Sequence, residues 1–329
     1  MPRLRRSDVS RPGIVRVRAG RGFSYRDATG SRIDDPVVID RIRALAIPPA
    51  WDDVWVSPHS NGHIQAVGTD DAGRRQYLYH AAWRERKDRE KFERMLELAA
   101  SLPTARRSVT LDLKRCATDP SAALDRAVVL AAAFRMLDSG SLRVGSEQYA
   151  AGNGSYGLST LLCAHVAVTG DRVVTLRFPA KSGQEWKSEI DDALLALIVR
   201  RLKRRGSRAR LLAWRDGAGW HRVSASEIND DLRRRTGGDF TAKDFRTLQG
   251  TVAAARELAV QGPQTTPTAR RRAIARAVAA AAETLGNTPA IARSSYIDPR
   301  VIDRFDQGLT IRVGGRASIE SALCEFLRD

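Results

Sequence analysis

At Tyr79 the chain changes its period, and this break constrains the fold more than any other feature. Before it, apolar residues alternate with polar ones in GIVRVRAGRGFSY (13–25), VWVS (54–57), HIQAVG (63–68) and QYLY (76–79). Alternation of this kind turns one face of an extended chain toward a core. The turn sequences DATG and DDAG punctuate the runs. One short helix is predicted near 36–46, with Val38, Ile42 and Leu45 on a single face and an end at Pro48-Pro49. These residues predict a small, mostly β domain. The basic stretch MPRLRRSDVSRPG ahead of it is expected to be loose.

Beyond Tyr79, HAAWRERKDREKFERMLELAASLP is charged and helix-forming, and it predicts a connecting helix that stops at Pro103. A second helix is predicted over 121–138, with Leu124, Val128, Ala131, Phe134 and Leu137 at spacings of three and four and Gly140 as its stop. Period two returns at 160–168 and 172–178 around a TGD turn, a hairpin signal, and KSGQEWKSEI adds a third strand. From 190 the sequence is helical again, through DDALLALIVRRLKRR, SASEINDDLRRRT, AKDFRTLQGTVAAARELA and TARRRAIARAVAAAAETLG. Ser224 with Glu227 makes a capping box, and Gly286 closes the last of these helices. The expected class is α+β. A small β-rich domain covers 1–88, and a larger, mainly α-helical domain with a small antiparallel sheet covers 89–329.

Charge points to a partner. The chain has 55 basic and 38 acidic residues, a net +17, so its surface attracts polyanions, nucleic acid first. It contains no apolar run of about 18 residues and no apolar N-terminal segment, so no membrane partner is expected. Cys116, Cys163 and Cys324 are far apart and odd in number, which argues against a disulfide framework or zinc site and for a reducing cytoplasm. His59 and His63 stand four apart in a loop-like stretch, and the Asp-Asp pairs read as turns and helix caps, so no metal site is expected. No GxxxxGK[ST] phosphate loop is present, and ATP is not expected. Only 7 of the basic residues are lysines, which makes each one informative, because lysine can give up its proton whereas arginine almost never does.

Four side chains stand where chemistry could use them. Tyr296 lies in SSYIDPRV, framed by serines. Arg143, in SLRVGSE, follows a helix stop and precedes a glycine. Lys181, in FPAKSG, is at the tip of the predicted hairpin. Arg246, in KDFRT, comes early in a helix. Taken singly, each is as readily a packed tyrosine or a solvated cation.

In order, however, Arg143, Lys181, Arg246, Asn287 and Tyr296 form a pattern. With SYIDP, LGNTPAIAR just before it and KDFRT, and with IPPAW (47–51), GHIQAVG (62–68) and GRRQYLYH (73–80), the chain resembles the type IB DNA topoisomerases, specifically the compact poxvirus-like enzymes of bacteria. The resemblance runs from about residue 13 to 310. It implies a monomer that clamps duplex DNA and relaxes supercoils of both signs. Tyr296 is then the nucleophile that forms a 3′-phosphotyrosyl link, and Lys181 is the general acid for the departing 5′ oxygen, with Arg143 able to share that task. Asn287 stands where poxvirus and eukaryotic relatives carry a histidine. Arg75, Gln76, Tyr77 and Tyr79 match a strand that family members lay in the major groove. The sequence departs from the family at Ala180, where glycine is commoner, and at Leu248, where tryptophan is often seen; these positions bear on hairpin flexibility and local packing.

The chemistry accounts for these residue types. A phenol, with an ordinary pKa of about 10, must be stabilised as it attacks phosphorus, together with the charge that builds on the phosphoryl oxygens. Arg143 and Arg246 can each offer paired N–H donors to nonbridging oxygens in place of a metal ion. An amide at 287 can donate to a phosphate oxygen but cannot relay a proton. Along the first-domain strand, alternation separates Gln76 and Leu78 from Tyr77 and Tyr79, so only one pair reaches DNA easily while the other packs. Two other readings remain. A tyrosine recombinase uses much the same groups but usually carries His-x-x-Arg where this chain has Lys243 three before Arg246, and a noncatalytic basic protein would only coat phosphates. The expected setting is the bacterial cytoplasm, at the nucleoid, with no cofactor or small-molecule partner.

Overall fold

In a computed structural model that describes residues 3–119, 122–314 and 318–328, the alternating runs before Tyr79 pair into one antiparallel sheet. Its strands are β1 (Ile14–Ala19), β2 (Gly22–Arg26), β3 (Asp52–Val56), β4 (Ile64–Thr69) and β5 (Arg75–Tyr79), in the order β2-β1-β3-β4-β5. Helix α1 (Pro36–Ala44) starts where Asp35 accepts from the Val37 N–H, and it buries Ile42 against Ile14, Val54, Val56 and Ala66. Of the N-terminal segment expected to be loose, residues 1 and 2 lie outside the described residues, and the stretch around Arg5 and Ser7 is tied down instead. Arg5 N–H donates to Asn61 O (2.9 Å), His63 N–H to Arg5 O (2.9 Å), Ser7 N–H to His63 Nδ1 (2.8 Å) and Ser7 Oγ to Ile64 O (2.9 Å). Partners some 56 residues away supply these bonds, and local periodicity does not register them.

The helix after Tyr79 does not stop at Pro103. It runs as α2 from Ala81 to Thr118, with Pro103 inside it. An interior proline removes one hydrogen bond and costs about 3 kcal/mol. The buried stripe Met95, Ala99, Leu102, Ala105, Val109, Leu113 and Cys116 continues at helical spacing on both sides of it. Burying even a few of the large residues at about 1.5–3 kcal/mol each outweighs the proline. The chain divides into two units within this helix, Met1–Lys91 and Phe92–Asp329.

The second unit is mainly helical. Its central helix α3 (Arg126–Gly140) is buried almost all round, and Phe134 meets Phe245 edge-on at 5.4 Å. The helix passes through Gly140, and Ser141 takes the left-handed cap position (φ 52°). After the short α4 (Glu147–Asn153) come β6 (Val166–Thr169), β7 (Val173–Pro179) and β8 (Glu185–Asp191), an antiparallel sheet in that order. Then follow α5 (Ala193–Lys203), a hairpin of β9 (Ala213–Asp216) and β10 (Gly219–Arg222), α6 (Ala225–Thr236), α7 (Ala242–Gln261), α8 (Pro267–Leu285), α9 (Pro289–Ser295), α10 (Pro299–Asp306) and α11 (Ile319–Arg328). The β9–β10 hairpin interrupts a stretch expected to be helical; its signal is the turn Asp216-Gly217-Ala218-Gly219 between two short Trp-bearing runs. No helix among the described residues is long and apolar enough to cross a membrane.

Candidate active site

Three helix ends meet around Arg246. The side chain leaves α7 in its first turns and is only 3% exposed. Its Nη1 donates to Ser141 O at the end of α3 (2.5 Å) and its Nη2 to Leu285 O at the end of α8 (2.8 Å). Helix C-termini leave carbonyls without intrahelical donors and carry partial negative charge, so one guanidinium satisfies two such ends. Its Nε is buried and has no partner among the described residues.

Arg143 follows the left-handed cap at Ser141 and the buried Leu142. Its carbonyl accepts from Leu158 N–H (2.9 Å) and the Val144 carbonyl from Ser159 N–H (2.8 Å), so the loop backbone is fixed while the side chain stays free to point. Arg143 Nη2 donates to Asn287 Oδ1 at 2.6 Å. Asn287 is placed by the α8 cap. Gly286 adopts φ +55°, where a Cβ would also fall 2.7 Å from Trp186 Cζ3, and Asn287 N–H returns to Ala282 O (3.0 Å). With Oδ1 committed to Arg143, the amide donor Nδ2 is buried and unpartnered among the described residues.

Tyr296 closes α9, its N–H donating to Ala292 O (3.0 Å), and its ring lies beside Arg246, with Cζ 5.3 Å from the ring centre. Burial pushes the Arg246 guanidinium below its ordinary pKa, the charge of Arg143 pushes it further, and the Tyr296 oxygen partly offsets both. Burial lowers Arg143 as well, again with Tyr296 in opposition. Both remain cations at neutral pH. Among the described residues neither pairs with a carboxylate, whereas the buried Arg235 pairs with Asp231 (2.7 Å) and Asp112 (2.8 Å).

Arg143, Arg246, Asn287 and Tyr296 therefore come together. Lys181 does not join them: it is exposed on a short turn, Lys181–Gly183, between β7 and β8, and its side chain has no hydrogen bond or ion pair among the described residues. The base of that hairpin nevertheless abuts the site, through Trp186 against Gly286. Ala180 is buried (5%) and Leu248 packs in the core (3%), so neither family departure opens the site. Sequence reasoning missed the carbonyls of Ser141 and Leu285 and missed Thr251. The legible hint was the small pair Gly250-Thr251 one turn after Arg246.

In the first unit, β5 is an edge strand, and its alternation exposes the tyrosines. Tyr77 and Tyr79 face outward, each 40% exposed, with rings stacked 6.1 Å apart, while Leu78 packs on the core. Arg75 is exposed, and Gln76 donates to Asp70 Oδ2 (2.8 Å). His63 uses Nδ1 to accept from Ser7, and no group of three or more potential metal ligands occurs among the described residues.

Comparison with known proteins shows the family. The family model for the catalytic core of eukaryotic DNA topoisomerase I matches residues 80–310, and that for the N-terminal domain of bacterial DNA topoisomerase IB matches residues 22–70. A DNA topoisomerase 1B of Acanthamoeba polyphaga mimivirus is 32% identical over 292 residues, covering 87% of this chain and 85% of that protein. With a family match over most of its length, at both its sheet-bearing and its helical parts, the chain belongs to the type IB DNA topoisomerases, in their bacterial form.

Proposed function

We propose that the protein relaxes supercoiled DNA of both signs by cutting one strand, letting it swivel and resealing it. Tyr296 Oη attacks a phosphodiester; the P–O5′ bond breaks as the P–O bond to tyrosine forms, leaving a 3′-phosphotyrosyl link and a free 5′-hydroxyl. The phenol proton passes to water and the departing oxygen takes one from the protein. Attack by the 5′-hydroxyl reverses each step. One phosphate ester is exchanged for another, so no nucleotide is consumed.

The observation that carries this reading is the pair of guanidiniums, Arg246 buried and Arg143 half-buried, beside a single tyrosine and without a carboxylate among the described residues. Cations held in such a place repel one another and favour an anion, most of all one whose charge grows during reaction. Their donors, with Asn287 Nδ2, suit the nonbridging oxygens, and two fixed cations make a metal ion unnecessary in this proposal. Lys181 is assigned the proton for the 5′ oxygen, with Arg143 able to share it; the exposed tip must then close on bound DNA. Tyr77, Tyr79 and Arg75 are assigned to the major groove, with Gln76 steadying the strand through Asp70. A monomer is part of this proposal, as the resemblance implies. The three cysteines are free and buried, in keeping with the reducing cytoplasm around a nucleoid.

The test is relaxation of supercoiled plasmid in chelator without ATP, quenched with detergent to trap protein-linked DNA. Tyr296→Phe is expected to form no adduct and relax nothing while still binding duplex DNA. An adduct that persists in that variant refutes the assignment.

A further inference from the structure

Tyr296 has a second anchor, on its backbone. Thr251, five residues beyond Arg246 on α7, is fully buried; its hydroxyl donates to the Tyr296 carbonyl (3.0 Å) and accepts from the Asp298 N–H (3.2 Å). One oxygen thus closes both ends of the turn that joins α9 to α10. Beside it, Gly250 leaves the tyrosine backbone resting directly on α7: a Cβ there would fall 2.9 Å from Tyr296 O and 3.1 Å from Tyr296 Cβ. The far side of the turn is held by Asp298, fully buried, which binds the Arg300 guanidinium (2.7 Å to Nη2), and Arg300 in turn reaches Glu93 (2.8 Å). The helix that presents Arg246 to the tyrosine ring therefore also grips the tyrosine main chain.

We propose that Thr251 is a positioning residue for Tyr296, holding its backbone in register with Arg246 so that the phenol oxygen meets phosphorus in line. The proposal rests on Tyr296 being the nucleophile. Thr251 itself touches no substrate. A shift of about 1 Å at reacting atoms costs on the order of 100-fold in rate. Cleavage and religation cross the same transition state, so loss of the anchor slows both alike and leaves their ratio unchanged.

The experiment uses the full-length chain as Thr251→Val, Thr251→Ala and Thr251→Ser, on a duplex that the wild type cleaves at one site. Single-turnover cleavage and religation are followed by covalent adduct, together with noncovalent affinity and melting temperature. Thr251→Val and Thr251→Ala are expected to slow both steps by about 10- to 100-fold at unchanged affinity, and Thr251→Ser to stay within about threefold of wild type. Wild-type rates in Thr251→Ala, equal slowing in Thr251→Ser and Thr251→Ala, or loss of cleavage without loss of religation each overturn the proposal. If Thr251→Val does not fold, the serine and alanine variants still differ by a single oxygen and decide the matter. A failure of the nucleophile assignment is read separately, as adduct formation by Tyr296→Phe.

Discussion

Asn287→Asp exchanges one N–H₂ group for a charged oxygen at constant shape, and it gives opposite results for two roles of this residue. Asn287 Oδ1 accepts from Arg143 at 2.6 Å, while Nδ2 is buried with no partner among the described residues. If Asn287 serves only to steady Arg143, a carboxylate does this better, because an ion-paired hydrogen bond is roughly twice as strong as a neutral one. The variant would then equal or exceed the wild type. If Nδ2 instead faces the phosphate, the new oxygen confronts an anion held by the same guanidinium. At a separation of roughly 5 Å and an effective dielectric of about 20, two unit charges repel by about 3 kcal/mol, on the order of 100-fold in rate or affinity. Asn287→Ala loses that donor to a charged acceptor, about 1.5–3 kcal/mol, together with the Oδ1 that steadies Arg143, whereas Asn287→Asp loses the same donor and adds the repulsion. The expected order of single-turnover cleavage near neutral pH is therefore wild type, then Asn287→Ala, then Asn287→Asp. Adduct formation on a duplex with one cleavage site gives the rates, and a Tyr296→Phe background gives the affinities. Cleavage by Asn287→Asp at or above the level of Asn287→Ala refutes the phosphate-facing role.

Asp298→Ala removes the α10 cap to Arg300 N–H (2.9 Å) and the buried partner of the Arg300 side chain, which keeps Glu93. The losses, about 1 kcal/mol for the cap and about 1–2 kcal/mol for the pair, predict a lower denaturant midpoint, and an unchanged midpoint contradicts them. Tyr77→Ala and Tyr79→Ala are expected to weaken duplex binding by about 1 kcal/mol each and leave the melting temperature nearly unchanged; undiminished binding removes β5 from the DNA surface. Acid stability should depend on Glu320. Burial alone would raise its carboxyl pKa, but the hydrogen bond and charge of Arg106 outweigh burial and hold it below the ordinary value. Its stabilisation is full above the unfolded pKa of about 4.3 and is lost as pH falls through the lower folded value, so Glu320→Gln should flatten the acid limb of a stability–pH curve. A limb of unchanged slope would show that the pair does not contribute.

Features read correctly from the sequence are those whose cause lies within a few residues. The capping box at Ser224 and Glu227 is present in both directions, with Ser224 N–H to Glu227 Oε2 at 2.9 Å and Glu227 N–H to Ser224 Oγ at 3.2 Å. The strands before Tyr79 and the helix stop at Gly286 belong with it. Misreadings arose where distant packing overrode a local signal. Pro103 breaks helices in isolation, but here a buried stripe on both sides of it keeps α2 intact. The N-terminal arm has no apolar pattern, and its order comes from Ser7 bonding to His63 and Ile64.

The sequence by itself determined the two periods, the excess of arginine and the order of the chemically distinctive residues, because each is a property of neighbours along the chain or of composition. Only the tertiary structure decided that Arg143 meets Asn287 across 144 positions, that Arg246 binds the ends of two helices, and that Lys181 stands apart on its turn. It also decided that no carboxylate among the described residues answers the guanidiniums of the buried Arg246 and the half-buried Arg143. Desolvation and hydrogen-bond pairing depend on what packs around a group in space, and that environment exists only once distant segments have been folded together.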